Sequence, residues 1–168
     1  MSVDVFLALG SNIAPQKNLR EGINAIEAHF NTITCSPTYA SSAVGFDGEV
    51  FLNCVVHVVT DLPLVDIIEQ LSDIELRFGR APDSKAFTPR ALDIDLLLYG
   101  DSVVFSSELT LPRNDILQYP FVLRPLADIA GSRKHPLFNL SFAELWEAYR
   151  DKSSLTPIAL SPLEATQA

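Results

Sequence analysis

Two stretches of this chain repeat their apolar residues at helical spacing, and each is bracketed by short apolar runs of strand character. That order restricts the fold more than any single motif. In residues 15–30, Leu19, Ile23, Ile26 and Phe30 fall on one helical stripe, with Pro15 in the first turn. In residues 62–78, Leu64, Ile67, Ile68, Leu71, Ile74 and Phe78 form a second stripe, opened by Pro63 and closed by Gly79. Residues 3–9, 32–39, 51–60 and 92–99 read as strands, the first ending in the turn residues Gly10-Ser11-Asn12. A hairpin at 103–105 and 109–111 and a short helix at 121–129 follow. Ser141-Phe142-Ala143-Glu144 carries the capping-box pattern for a last helix through residue 150.

Strand, helix, strand, strand, helix, strand amounts to two βαβ-like halves joined by a hairpin. It predicts an α+β fold, a ferredoxin-like βαββαβ sandwich with a C-terminal helical extension. Within 168 residues, 48% apolar and 20% charged, residues 1–151 make one domain, and 152–168 form a tail without clear period, expected to be loosely ordered. With 12 basic against 21 acidic residues the net charge is −9, which disfavours nucleic acid and anionic membrane surfaces as partners. No apolar run reaches the ~20 residues of a membrane span. The first residues lack the basic region of a secretion signal. Cys35 and Cys54 read as buried free thiols of a reducing compartment. The expectation is a soluble, cytoplasmic monomer.

Three local patterns carry chemistry. Asp93 and Asp95 alternate with apolar residues on one strand, so their carboxylates share a face at about 7 Å between Cα atoms. Two like charges on an apolar strand call for a cation: a divalent metal such as magnesium or, equally on the residues alone, an arginine or solvent at a strand end. Arg77, Arg80, Lys85 and Arg90 reverse the local charge just before that pair, which suits a polyphosphate or a solvated basic loop. Glu75, late in its helix, accepts from a ligand or this cluster, or stands exposed. Phe51 and Asn53 point the same way, and with Phe121 they form either a clamp for a flat heterocycle or ordinary core. No phosphate-binding glycine loop is present, and the three histidines have no metal-ligand spacing.

With these segments in place, the chain resembles the 6-hydroxymethyl-7,8-dihydropterin pyrophosphokinases of folate biosynthesis. The likeness runs through Leu9-Gly10-Ser11-Asn12, Phe51-Leu52-Asn53, Ile74-Glu75, Gly79-Arg80, Pro89-Arg90-Ala91-Leu92-Asp93-Ile94-Asp95-Leu96, Leu111-Pro112, Asp115, Phe121 and Pro125-Leu126. It implies transfer of the β,γ-pyrophosphoryl group of ATP to the pterin's hydroxymethyl oxygen, with release of AMP. It implies two Mg2+ ions on Asp93 and Asp95, and phosphates met by Arg80, Lys85, Arg90 and Arg113, with Glu75 at the nucleotide. The pterin is expected between Phe51 and Phe121, its edge read by Asn53, with Val44, Gly45 and Asp95 beside it. The chain departs from the family pattern at Ser42-Ala43 in place of a proline pair, at Phe87, at Arg113-Asn114 and at Tyr119. Those departures motivate a second reading, a pterin- or nucleotide-binding paralogue with weak or altered activity. A third reading, nucleotidyl transfer, needs Gly-Ser and DxD closer together than the roughly 80 residues that separate them here.

Overall fold

The computed structural model describes residues 1–30, 32–41, 50–79, 91–149 and 155–158. Strand β1 (Val3–Ser11) runs through the sheet interior, and Val5, Phe6, Leu7 and Leu9 on its two faces are all buried. Helix α1 (Pro15–His29) begins on Pro15, whose missing amide costs nothing in a first turn, and buries Leu19, Ile23 and Ile26. The strand expected over 32–39 is two strands, β2 (Thr32–Cys35) and β3 (Thr38–Ser41). Pro37 causes the break, since it has no amide for the ladder. Ser36 bridges the gap: its amide donates to the Val55 carbonyl at 2.9 Å, and its hydroxyl accepts from the Val55 amide at 2.9 Å.

Strand β4 (Phe51–Thr60) is long enough to pair both pieces, β3 near its start and β2 near its end. Helix α2 (Leu64–Arg77) buries Ile67, Leu71 and Ile74, is capped at Pro63, and gives way at Gly79, whose φ of +86° suits glycine. Strand β5 (Asp93–Tyr99) follows, then the small hairpin β6 (Val104–Phe105) and β7 (Thr110–Leu111). Helices α3 (Asp115–Gln118), α4 (Pro120–Ala130) and α5 (Phe142–Ala148) come next. The expected capping box is formed: the Ser141 amide donates to Glu144 Oε1 at 2.8 Å, and the Glu144 amide donates to Ser141 Oγ at 3.1 Å. The helix stops at Ala148 instead of reaching residue 150.

The result is a mixed α/β fold on an antiparallel sheet ordered β5-β1-β4-β3, with β2 also on β4. A short strand β8 (Thr156–Ile158) adds to β3, so part of the tail expected to be loose is paired. One sheet face packs Leu7, Leu9, Leu52, Val56 and Leu96 against Ile26 of α1 and Ile67 and Ile74 of α2. The other packs Phe6, Val55, Leu97 and Leu98 against Leu123 and Leu126 of α4 and Phe142 of α5. A register shift opposite Phe6 and Leu7 lets Leu97 and Leu98 face the same way, so β5 is buried on both faces. Cys54 is buried as expected, whereas Cys35 is exposed; both are free. The correction follows from β2 pairing on one side only. Among the described residues no helix is long and apolar enough to cross a membrane.

Candidate active site

The site starts with strand register. Gly10 of β1 stands opposite Asn53 of β4 on one side and opposite Asp93 of β5 on the other. Ala8, one step along the same face, stands between Val55 and Asp95. Alternation therefore puts Phe51, Asn53, Asp93 and Asp95 on the face that α4 covers farther along. At the centre of the row is a residue without a side chain. A Cβ on Gly10 would sit 3.2 Å from Asn53 Oδ1 and 3.8 Å from the Phe51 ring. Glycine thus lets the Asn53 amide and the Phe51 ring pack closely over β1, beside the acids.

Asn53 is buried and its orientation is set from β3. Its Nδ2 donates to Ser41 Oγ at 2.7 Å and to the Tyr39 carbonyl at 3.4 Å. With both donors directed to β3, Oδ1 faces Gly10 as an acceptor. Phe121 opens α4, where its ring stacks on Tyr119 at 4.9 Å and 21°. One face of Phe121 is therefore already backed by an aromatic ring.

At the other end of the row, burial raises the Asp95 carboxyl first, and the neighbouring Asp93 raises it further, to about 7. Asp115 and Glu75 push in the same direction, against the attraction of Arg113. Arg113 Nη2 lies 3.5 Å from Asp95 Oδ1, and its Nε lies 3.2 Å from Asp115 Oδ2. Its own amide donates to the Leu97 carbonyl at 3.0 Å, which holds the arginine against β5. Glu75 Oε2 accepts from the Ile94 amide at 2.7 Å, between the two aspartates.

This donor set suits a hard divalent cation. Asp93 and Asp95 would supply carboxylate oxygens, and a cation there would offset the burial and the neighbouring charges that raise Asp95. Among the described residues no group of three or more His, Cys, Asp or Glu side chains is arranged to hold a metal alone. Substrate phosphates and water would complete the coordination, as magnesium prefers.

The structure thus brings Asn53, Asp93, Asp95, Arg113 and Glu75 into one region of the sheet. Val44, Gly45, Arg80, Lys85, Phe87 and Arg90 lie outside the described residues. The residue reading gave no part to Ser41, which orients Asn53, to Tyr119, which backs Phe121, or to the charge of Asp115 on Arg113. Only Tyr119 left a sequence trace, an aromatic two positions before Phe121. The other two contacts depend on strand register and on the turn after Pro112.

A family model described as 7,8-dihydro-6-hydroxymethylpterin-pyrophosphokinase (HPPK) matches residues 6–131. The 2-amino-4-hydroxy-6-hydroxymethyldihydropteridine pyrophosphokinase of Pseudomonas aeruginosa is 36% identical over 136 residues, 79% of this chain and 83% of that protein. A folate synthesis bifunctional protein of Arabidopsis thaliana is 33% identical over 132 residues, 77% of this chain but 27% of its own length. Among solved structures, a Plasmodium falciparum HPPK-DHPS crystallised with pteroate superposes with a TM-score of 0.71 over 89% of this chain and 43% of that one. At 13% identity that likeness speaks for the fold. The family model covers the strands that carry Gly10, Asn53, Asp93 and Asp95, and the chain belongs to the 7,8-dihydro-6-hydroxymethylpterin-pyrophosphokinase family.

Proposed function

We propose that this chain transfers the β,γ-pyrophosphoryl group of ATP to the hydroxymethyl oxygen of 6-hydroxymethyl-7,8-dihydropterin and releases AMP. The observation that carries the reading is the Asn53–Gly10–Asp93 row. It sets a hydrogen-bonding amide and a pair of acids two strand spacings apart, roughly 10 Å, on either side of Gly10. A flat heterocycle with a one-carbon arm fits that span, its ring edge at the amide and its alcohol near the acids. Asn53 Oδ1 accepts from a ring N–H, and Phe121, backed by Tyr119, offers a face for stacking, with Phe51 opposite. Backbone near Val44 and Gly45 completes the pterin site.

The alcohol oxygen forms a bond to the β-phosphorus, the bond from that phosphorus to the α,β-bridging oxygen breaks, and the alcohol proton is lost. Such a transfer needs alignment and charge neutralisation more than covalent help. Asp93 and Asp95 would hold two Mg2+ ions, which supply neutralisation of the triphosphate charge when bound. Arg80, Lys85, Arg90 and Arg113 meet the flanking phosphate oxygens, and Glu75 stands at the nucleotide. Asp95 is the carboxylate the chain offers for the departing proton. The order of elements and the sheet order β5-β1-β4-β3 support a ferredoxin-like sandwich in one domain over residues 1–151. We read the protein as a cytoplasmic monomer, in line with the acidic composition.

Product analysis tests the reading. Protein mixed with magnesium, ATP and 6-hydroxymethyl-7,8-dihydropterin is expected to give pterin-dependent AMP without matching free pyrophosphate. Free pyrophosphate in step with pterin would instead indicate nucleotidyl transfer. Binding of both ligands without AMP would indicate a binding paralogue.

A further inference from the structure

Away from the acids, four residues from three elements form one stacked, hydrogen-bonded column. Tyr39 of β3 is buried, at 3% exposure, and its hydroxyl donates to Asp128 Oδ2 of α4. The Arg124 guanidinium lies between two rings, 5.3 Å from the centre of Tyr39 and 5.3 Å from that of Trp146 on α5. Its Nε is 3.4 Å from Asp128 Oδ1, so one carboxylate holds both the phenol and the cation. Burial, then the Asp128 hydrogen bond, pushes the Tyr39 hydroxyl up to about 12, which keeps its proton available for donation.

Each end of the column leads to one half of the pterin site. On the sheet side, the Tyr39 carbonyl accepts from Asn53 Nδ2, and Ser41, two residues on, accepts from the same amide. On the helix side, Arg124 is one turn from Phe121. Trp146 stacks on Tyr149 at 5.7 Å, and the Tyr149 hydroxyl donates at 2.8 Å to the Gln118 carbonyl, next to the Tyr119 that backs Phe121. The amide reader and the aromatic wall sit on different elements, and the column ties those elements together.

We propose that Tyr39, Asp128 and Arg124 are positioning residues that fix the spacing between Asn53 and Phe121, and through it the affinity for the flat heterocycle. The proposal rests on the pterin reading of that site. Among the described residues, those assigned to the nucleotide and its metal, Glu75, Asp93, Asp95 and Arg113, lie on α2, on β5 and after β7, whereas the column is built from β3, α4 and α5. Loosening the column therefore weakens one substrate and leaves the other unaffected, a split that general destabilisation does not produce.

The test compares wild type, Tyr39→Phe, Asp128→Asn and the double variant. Affinities for 6-hydroxymethyl-7,8-dihydropterin and for α,β-methylene-ATP with magnesium are measured by calorimetry well below the melting temperature. Each single variant should weaken pterin binding on the order of tenfold, as expected for a lost hydrogen bond to a charged group, with nucleotide binding unchanged. The double variant should lose less than the two single losses combined, because both act through the Asp128 carboxylate. Pterin affinity within twofold of wild type in both folded single variants would overturn the proposal. So would equal losses for both ligands, or additive losses. If Tyr39→Phe does not fold, Asp128→Asn, which keeps the ring and the shape of the acid, gives the same readout. Failure of the pterin reading of the site looks different: wild type itself then binds no pterin.

Discussion

Replacing Asp95 by asparagine should make the metal-free protein more stable while removing its activity. The acid's folded-state value of about 7 against an ordinary 3.8 is a gap near three pH units. At about 1.4 kcal/mol per unit that is roughly 4 kcal/mol of strain once the group is ionised. The side chain keeps 29% exposure, so solvent screening reduces the usable figure to about 2 kcal/mol. The sign follows from linkage. A carboxyl raised on folding binds more protons in the folded state than in the unfolded chain, so ionisation costs stability as pH climbs through that window, and the full cost stands above the upper value. Asparagine mimics the neutral acid at every pH.

Thermal unfolding in EDTA at pH 8 should therefore show the variant about 4–8 °C above wild type, at the usual conversion for a chain of this size. At pH 5, where Asp95 is protonated in the folded protein but still mostly ionised in the unfolded chain, the difference should fall to less than half, and it should vanish only below the ordinary value of 3.8. AMP formation with magnesium should fall on the order of a hundredfold or more, since a group that holds the cation is lost. A variant no more stable than wild type at pH 8, or a gain that persists undiminished at pH 5, would refute the electrostatic reasoning. Turnover at the wild-type rate would refute the role given to Asp95.

Phe121→Ala should weaken pterin binding by about 1–3 kcal/mol through loss of one stacked face. Calorimetry reads this, and an unfolded variant would place the ring in the core instead. Gly22→Ala should destabilise by roughly 1–3 kcal/mol in urea melts, because the new Cβ would sit 2.8 Å from both methyl carbons of Leu92, itself buried. A midpoint unchanged from wild type would mean that α1 moves away at no cost. Asp4 is held below the ordinary carboxylate range, chiefly by its hydrogen bond to His57. Asp4→Asn should therefore lower the urea midpoint at pH 7, by an amount that fades as the pH drops through and below the normal carboxyl range. A deficit that stays constant with pH would assign the effect to packing.

The two helices and the central strands were legible because their patterns are long and periodic. Leu19, Ile23 and Ile26 of the first stripe are buried in α1 and Ile67, Leu71 and Ile74 of the second in α2, while Ile68, also placed on the second stripe, is exposed at its margin. The division of 32–39 was written in Pro37, whose effect on a ladder is local and general. Strand β8 was not legible: Thr156-Pro157-Ile158 has no pattern of its own and gains order from pairing with β3. Within the site, the Asp93–Asp95 pair was visible because two acids on an apolar strand break a local rule. The Asn53–Ser41 bond and the Tyr39–Asp128 bond, 89 residues apart, were not. Each depends on registers and packing that form only when distant elements meet.

Strand β5 shows how one side chain meets two demands that pull against each other. Among the described strands β5 ends the sheet order, and the outward amides of an edge strand are a template for association with other chains. Glu75 closes this edge at Ile94 by accepting the amide between the aspartates. The same carboxylate is one of the charges that raise Asp95. Arg113, fixed to the Leu97 carbonyl farther along the strand, offsets part of that charge without neutralising it. Asp95 therefore stays raised with the arginine beside it. A carboxyl raised in this way is one that a divalent cation would stabilise in its charged form, which ties the closing of the sheet edge to the cation role proposed for the pair.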